Sequence, residues 1–282
     1  MIRRQETSDM FSHAPRLVLL LAACSIPAVA GEPVDVAFTA RFDGSEQRYV
    51  LIAPDGARPT DPVSVLIALH GHGSDRWQFA RDARDECRAA REAASKRGML
   101  YASPDYRAKT SWMGPAAEAD VVQIIEELKD RFRVEKVVLC GGSMGGTSAL
   151  AFAAMHPELI DGVVSMNGTA NLLEFEGFPD AIAASYGGTK EERPDEYRRR
   201  SAELAADRLT MPVALTTGGR DAIVPPDSVL RLARRLHELD RPALSIHRPE
   251  GGHATGHADA TRAFDFVLDR VVGTEARAAG AP

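Results

Sequence analysis

Residues 63–69, Val-Ser-Val-Leu-Ile-Ala-Leu, form an almost unbroken apolar run rich in β-branched side chains. Such a run is expected of a strand buried on both faces of a parallel sheet. Residues 99–102, 137–140, 162–166, 212–216 and 243–247 have the same character. Between them the period changes. Residues 77–97 carry apolar positions at helical spacing and stop at Gly98, and residues 116–132 place Val121, Ile124, Ile125 and Leu128 on one face. Further helices are predicted over 147–155, 227–239 and 258–272. Strands alternating with helices predict an α/β fold, a mostly parallel central sheet with helices on both faces. Ahead of these, residues 34–39 and 48–53 alternate polar and apolar and predict an opening hairpin. Residues 171–200 show neither period and carry Gly177, Pro179, Gly187, Gly188 and Pro194. They are expected to form a small, lid-like insertion.

The first thirty residues stand apart. Arg3, Arg4 and Arg16 precede the apolar segment 17–23, and Ala28-Val29-Ala30 closes it. This is the layout of a secretory signal peptide, and the apolar stretch is too short for a membrane span. A secreted or periplasmic protein is expected. Leu21-Ala22-Ala23-Cys24 also resembles a bacterial lipobox, so a lipid anchor at Cys24 is the alternative, and the two processing routes exclude each other. One domain is expected over residues 31–273, with the insertion inside it, followed by a disordered Ala/Gly-rich tail at 274–282.

The chain has 282 residues, 44% hydrophobic and 26% charged, which is ordinary globular composition. Its formal charge of −6 leaves no basic stripe to meet phosphates, so nucleic acid is excluded as a partner. Cys87 and Cys140, the cysteines beyond the leader, do not make a disulfide framework, and nothing in the sequence favours pairing them.

The chemistry concentrates where the run 137–140 ends. Gly141-Gly142-Ser143-Met144-Gly145-Gly146 contains Gly-x-Ser-x-Gly between a predicted strand and a predicted helix. A sharp strand–turn–helix of this kind exposes the serine hydroxyl above the sheet. A serine hydroxyl becomes nucleophilic only when a base takes its proton, and the usual base is an imidazole oriented by a carboxylate. In an open α/β sheet these groups come from the carboxyl ends of later strands. Asp221 follows the strand near 212–217, and His253 follows the last strand within Glu250-Gly251-Gly252-His253. The order Ser143, Asp221, His253 is nucleophile, acid, base. Glu250 and Asp207 are rival acids, His257 is a rival base, and His247 alternates within a strand.

An acyl-transfer intermediate also needs donors aimed at its oxyanion. The Met144 N–H, just after the nucleophile, is one candidate, and the His72 N–H in the loop Leu69-His70-Gly71-His72-Gly73 is the other. A metal pair at His70 and His72 is the competing reading, without a carboxylate cluster to complete it. Trp112, in the loop after residues 99–102, is expected either to line the substrate pocket or to seat the next helix.

Together, His70-Gly71-His72-Gly73, the segment Gly141–Gly146, Gly219-Arg220-Asp221 with Val224-Pro225, and Gly251-Gly252-His253 resemble the landmarks of the α/β-hydrolase superfamily, over residues 48–272. Within it the chain resembles secreted carboxylesterases of the feruloyl esterase and polyhydroxybutyrate depolymerase type, and the catalytic domain of the prolyl oligopeptidase family. The resemblance implies a Ser–His–Asp hydrolase that needs no cofactor or metal. The chain has no room for the N-terminal propeller of prolyl oligopeptidases, which favours a small or polymer-linked ester as substrate. A peptidase, an amidase or an acyltransferase is the alternative, and a non-catalytic binding protein on the same fold is a third.

Overall fold

The structure, a computed structural model, describes residues 31–273. The expected signal peptide, Cys24 and the tail at 274–282 lie outside the described residues.

The strands are β1 (Val34–Thr39), β2 (Glu46–Ile52), β3 (Pro62–Leu69), β4 (Leu100–Pro104), β5 (Arg133–Gly142), β6 (Gly162–Met166), β7 (Val213–Gly218) and β8 (Ala243–Arg248). They form one 8-stranded sheet in the order β1-β2-β4-β3-β5-β6-β7-β8. The opening hairpin pairs antiparallel, β2 pairs antiparallel with β4, and every other pairing is parallel.

The two faces of the sheet follow from the period of two along each strand. Val65, Ile67, Leu69, Val137 and Leu139 enter one core, shared with α3 (Pro115–Arg131), α4 (Met144–Met155) and α7 (Asp227–Glu238). Leu66, Ala68, Val138 and Cys140 enter the other, against α1 (Trp77–Arg81), α2 (Asp85–Lys96) and α8 (His257–Val271). Helix α4 is apolar on every side, and all twelve of its residues are buried. A helix of that pattern belongs inside a protein. Cys87 and Cys140 are buried free thiols.

Three expectations are revised. The helix read over 77–97 is two helices. The Asp82 carboxylate accepts the Arg84 N–H at 2.9 Å, a local turn that competes with the helix, and Arg91 caps the freed Phe79 and Asp82 carbonyls. The strand read from 137 begins at Arg133, because Pro62 and Val63 of β3 pair with Arg133 and Val134 despite the polar residues there. The insertion is not wholly irregular. It holds α5 (Pro179–Tyr186) and α6 (Pro194–Arg199), each with proline in its first turn, where the missing N–H costs nothing.

From β3 the chain first crosses to β4 on one side and later to β5 on the other. Such a reversal opens a crevice at the carboxyl ends of the two strands. The loop after β3 and the turn after β5 meet at that crevice.

Candidate active site

Ser143 sits between β5 and α4 at φ 57° and ψ −121°. A non-glycine residue is strained there, and strain of this kind persists only where the surroundings enforce it. The Ser143 N–H donates to the Met166 carbonyl of β6 at 2.8 Å. The flanking glycines permit the turn. A Cβ on Gly145 would overlap the Leu69 carbonyl, and one on Gly141 would overlap the backbone of Gly145. Strand, turn and helix therefore close together only with bare Cα atoms at these positions.

His253 lies on the loop after β8, with Nε2 at 2.9 Å from Ser143 Oγ and Nδ1 at 2.6 Å from Asp221 Oδ2. Asp221 follows β7 and its side chain is 1% exposed. Its Oδ1 accepts the N–H groups of Ile223 and Val224 at 3.0 and 2.9 Å. A carboxylate only accepts, so the imidazole proton sits on Nδ1 and Nε2 is left as the acceptor facing Ser143 Oγ–H. The structure thus brings Ser143, Asp221 and His253 together from three different strand ends. The rivals are engaged elsewhere. Glu250 pairs with Arg220 at the surface, His257 bonds Glu92 at 2.7 Å, His247 bonds Thr217 at 3.0 Å, and Asp207 is exposed on the 3-10 turn Ala202–Arg208.

Among the N–H groups without an acceptor in the described residues, two flank Ser143 from the start of α4 and from the loop after β3. One is Met144, the first residue of α4, where the helix dipole also favours negative charge. The other is His72. Its neighbours are occupied: Gly71 N–H donates to Gln78 Oε1 at 2.6 Å and Gly73 N–H to the Lys109 carbonyl at 2.7 Å.

The two loop histidines do not act as a pair. The His70 ring is fully buried between the Gly71 and Asp105 carbonyls, at 2.9 and 3.1 Å, and burial lowers its pKa. The His72 ring, its pKa also lowered by burial, accepts the Trp112 indole N–H on Nδ1 at 3.1 Å. Its own proton is therefore on Nε2. No group of three or more metal-ligating side chains occurs among the described residues.

Trp112 is completely buried and does not line the cleft beside Ser143. It stands behind His72, packed against Phe175 and Phe178 of the insertion with ring centroids at 5.6 and 5.3 Å. Its φ of 44° and that of Met113, 57°, are left-handed. The loop is held in that shape by Tyr186 Oη–H donating to the Trp112 carbonyl at 2.8 Å and by Ser185 on Ser111.

The cleft around Ser143 is lined by Gly71, Gln78, Phe79, Arg84 and Glu86, from the segment between β3 and α2, and by Asn167, His253, Ala254 and Thr255, from the loops after β6 and β8. Sequence reasoning missed Asn167 and its partners. Its side chain holds the histidine loop, with Nδ2–H donating to the Gly252 carbonyl at 3.4 Å and Oδ1 accepting Thr255 Oγ–H. Thr255 in turn meets Thr216 of β7 at 2.6 Å. The available signal was an asparagine directly after β6, at a φ of 50° that asparagine tolerates better than most residues.

The description of the prolyl oligopeptidase family, Peptidase_S9, matches residues 89–269, more than half of the chain. The chain belongs to the prolyl oligopeptidase family. Among curated relatives, an sn-1-specific diacylglycerol lipase of Xenopus laevis is 37% identical over 202 residues, covering 71% of this chain and 53% of the lipase. The corresponding lipase of Xenopus tropicalis is 33% identical over 136 residues and is covered to 39%, so the chain spans about half or less of these two relatives. A 2-hydroxy-6-oxononadienedioate/2-hydroxy-6-oxononatrienedioate hydrolase of Paraburkholderia phymatum is 31% identical over 200 residues, covering 64% of this chain and 69% of that enzyme. In three dimensions an S-formylglutathione hydrolase of Staphylococcus aureus superposes with TM-score 0.64 at 15% identity, over 86% of this chain and 98% of that one. A puromycin-hydrolyzing peptidase of Mycobacterium tuberculosis superposes with TM-score 0.67 at 21% identity, over 90% of this chain and 41% of that one. These likenesses, with the sheet order, show the α/β-hydrolase fold.

Proposed function

We propose that the chain is a serine hydrolase that cleaves carboxylic esters through an acyl-enzyme. The observation that carries the reading is the continuous relay Asp221–His253–Ser143, with 2.6 and 2.9 Å links, ending on a strained serine. As Ser143 Oγ attacks the ester carbonyl carbon, its proton passes to His253 Nε2, and Asp221 stabilises the imidazolium through Nδ1–H. The carbonyl oxygen takes the negative charge and is held by the Met144 and His72 N–H groups. Collapse breaks the bond to the alcohol oxygen, which leaves with the proton from His253. Water then repeats the sequence on the acyl-enzyme, releasing the acid and restoring Ser143.

The names of the frog lipases favour an ester over an amide. The family match supports a second reading, a peptidase or amidase using the same residues. Turnover of p-nitrophenyl acetate compared with aminoacyl p-nitroanilides separates the two. The ester is expected to be hydrolysed far faster, and Ser143→Ala is expected to lower its turnover by about 10⁴-fold or more. Preference for the anilides would contradict the ester reading. The leader makes export part of the proposal: N-terminal sequencing of the mature protein should find residue 31, or a lipid-modified Cys24, and an intact Met1 would contradict it.

A further inference from the structure

One polar side chain in the cleft wall has no part in the relay. Gln78, on α1, accepts the Gly71 N–H on Oε1 at 2.6 Å. That bond fixes which end of the amide is oxygen, because an N–H must meet an acceptor. The amide is packed beside the Gly71 Cα: a Cβ there would lie 3.6 Å from Oε1 and 3.8 Å from Nε2. Among the described residues Nε2 has no acceptor, although the side chain lines the cleft together with Ser143.

We propose that Gln78 is a specificity-determining residue whose Nε2–H donates to a second oxygen of the substrate, selecting esters with an ether, hydroxyl or oxo oxygen close to the scissile carbonyl. This rests on the ester-hydrolase reading above and narrows it. The oxyanion already has two backbone donors, Met144 and His72, so the Gln78 donor is left for another acceptor. The cleft's charges define what that acceptor is. Arg84 is held by Asp82, at 2.8 Å from Nε and 2.7 Å from Nη2, so its charge is compensated. Glu86 lines the same cleft; it makes no ion pair within 4.0 Å among the described residues, and its charge adds to that of Asp82 in acting on Arg84. Two carboxylates, Asp82 and Glu86, around the single Arg84 leave this part of the cleft net negative, which repels an anionic substrate group and leaves a neutral oxygen as the partner for a neutral amide.

The test uses two esters of equal shape, p-nitrophenyl methoxyacetate and p-nitrophenyl butyrate, in which an ether oxygen replaces a methylene. Intrinsic reactivity cancels when the ratio of their kcat/KM values is compared between wild type and variants. Gln78→Glu still accepts the Gly71 N–H but has no donor when ionised. Gln78→Leu removes both. Each is expected to lower the methoxyacetate-to-butyrate ratio about five- to tenfold, the scale of one neutral hydrogen bond. Fluorophosphonate labelling of Ser143 identifies folded variants. Should either variant fail to fold, Gln78→Met, of similar length but without a donor, is read by the same ratio, and a ratio that rises overturns the proposal. A ratio unchanged in the folded variants also overturns it, even if both esters lose rate together, since that loss reflects the Gly71 loop. Failure of the wild type to hydrolyse either ester overturns the ester reading, and this proposal with it.

Discussion

The turn at Ser143 and the insertion behind it are built on opposite principles. The turn carries no charge between Gly141 and Gly146, and its shape is enforced by close backbone approach, locally between Gly141 and Gly145 and across the sheet edge between Gly145 and Leu69 at the end of β3. The insertion is anchored by charges far apart in the chain. Arg200 at the end of α6 is completely buried, with partners in Glu118 of α3, Glu196 one helical turn back, and the Met113 carbonyl. Glu118 also receives Arg199 at 2.7 Å and His156, the residue after α4, at 2.9 Å. Steric enforcement gives rigidity with no group to titrate. An ion cluster gives a specific docking geometry that depends on every member staying charged and paired.

The largest test of this contrast is Gly145→Ala. The added methyl meets a backbone carbonyl that has nowhere to go, so loss of all turnover and destabilisation by more than about 3 kcal/mol are expected. Wild-type activity in a folded variant would show that the turn is not sterically enforced. Next is Glu118→Ala, which leaves the buried Arg200 without its main counter-charge. A loss of about 3–5 kcal/mol is expected in denaturant unfolding. A loss below about 1 kcal/mol would mean the cluster does not anchor the insertion.

Two acids on α3, two residues apart, sharpen the point through pH. Burial raises the Glu118 carboxyl, but the His156 hydrogen bond and the charges of Arg200 and Arg199 outweigh it, and the pKa is lowered. Its contribution to stability is full above the ordinary carboxyl value and is lost as pH falls through the lowered one. Asp120 goes the other way. Burial pushes it up to about 6, with the Asp43 charge adding to that and Arg107 opposing it. The folded state then holds this proton more tightly than the unfolded one, so the Asp120 contribution rises as pH falls from 7 through 6 towards 4. The stability of wild type relative to Asp120→Asn should therefore increase by about 1 kcal/mol between pH 7 and pH 5, read from paired unfolding curves. A decrease would reverse the sign of the account. The smallest effect is expected at Arg220–Glu250, whose side chains are 71% and 74% exposed. Arg220→Ala should change stability by less than about 1 kcal/mol.

The same division explains what could be read from the sequence. Gly141, Ser143 and Gly145 were legible because their spacing is itself the mechanism of the turn. Asp221 and His253 were legible because each follows its own strand, and sheet topology places those ends together. The break at Asp82–Arg84 was hidden because the apolar spacing continues across it and only a local carboxylate turn interrupts the helix. Gln78, Asn167 and the Arg200–Glu118 anchor were not legible. Their partners lie from 7 residues away, for Gln78, to 82 and 85 away, for Arg200 and Asn167, and no local pattern encodes them. Trp112 was read as either cleft wall or core, and its position behind His72 depends on aromatic residues of the insertion that the sequence does not pair with it.

The central claim is that Ser143 is an activated nucleophile, and it can be tested in one experiment. The folded protein is treated with a fluorophosphonate and digested, and the adduct is mapped by peptide mass spectrometry. The account predicts a single covalent adduct on Ser143, absent in Ser143→Ala and formed at least about 100-fold more slowly in His253→Ala. Folded protein that stays unmodified at Ser143, or that reacts equally fast without His253, would contradict it.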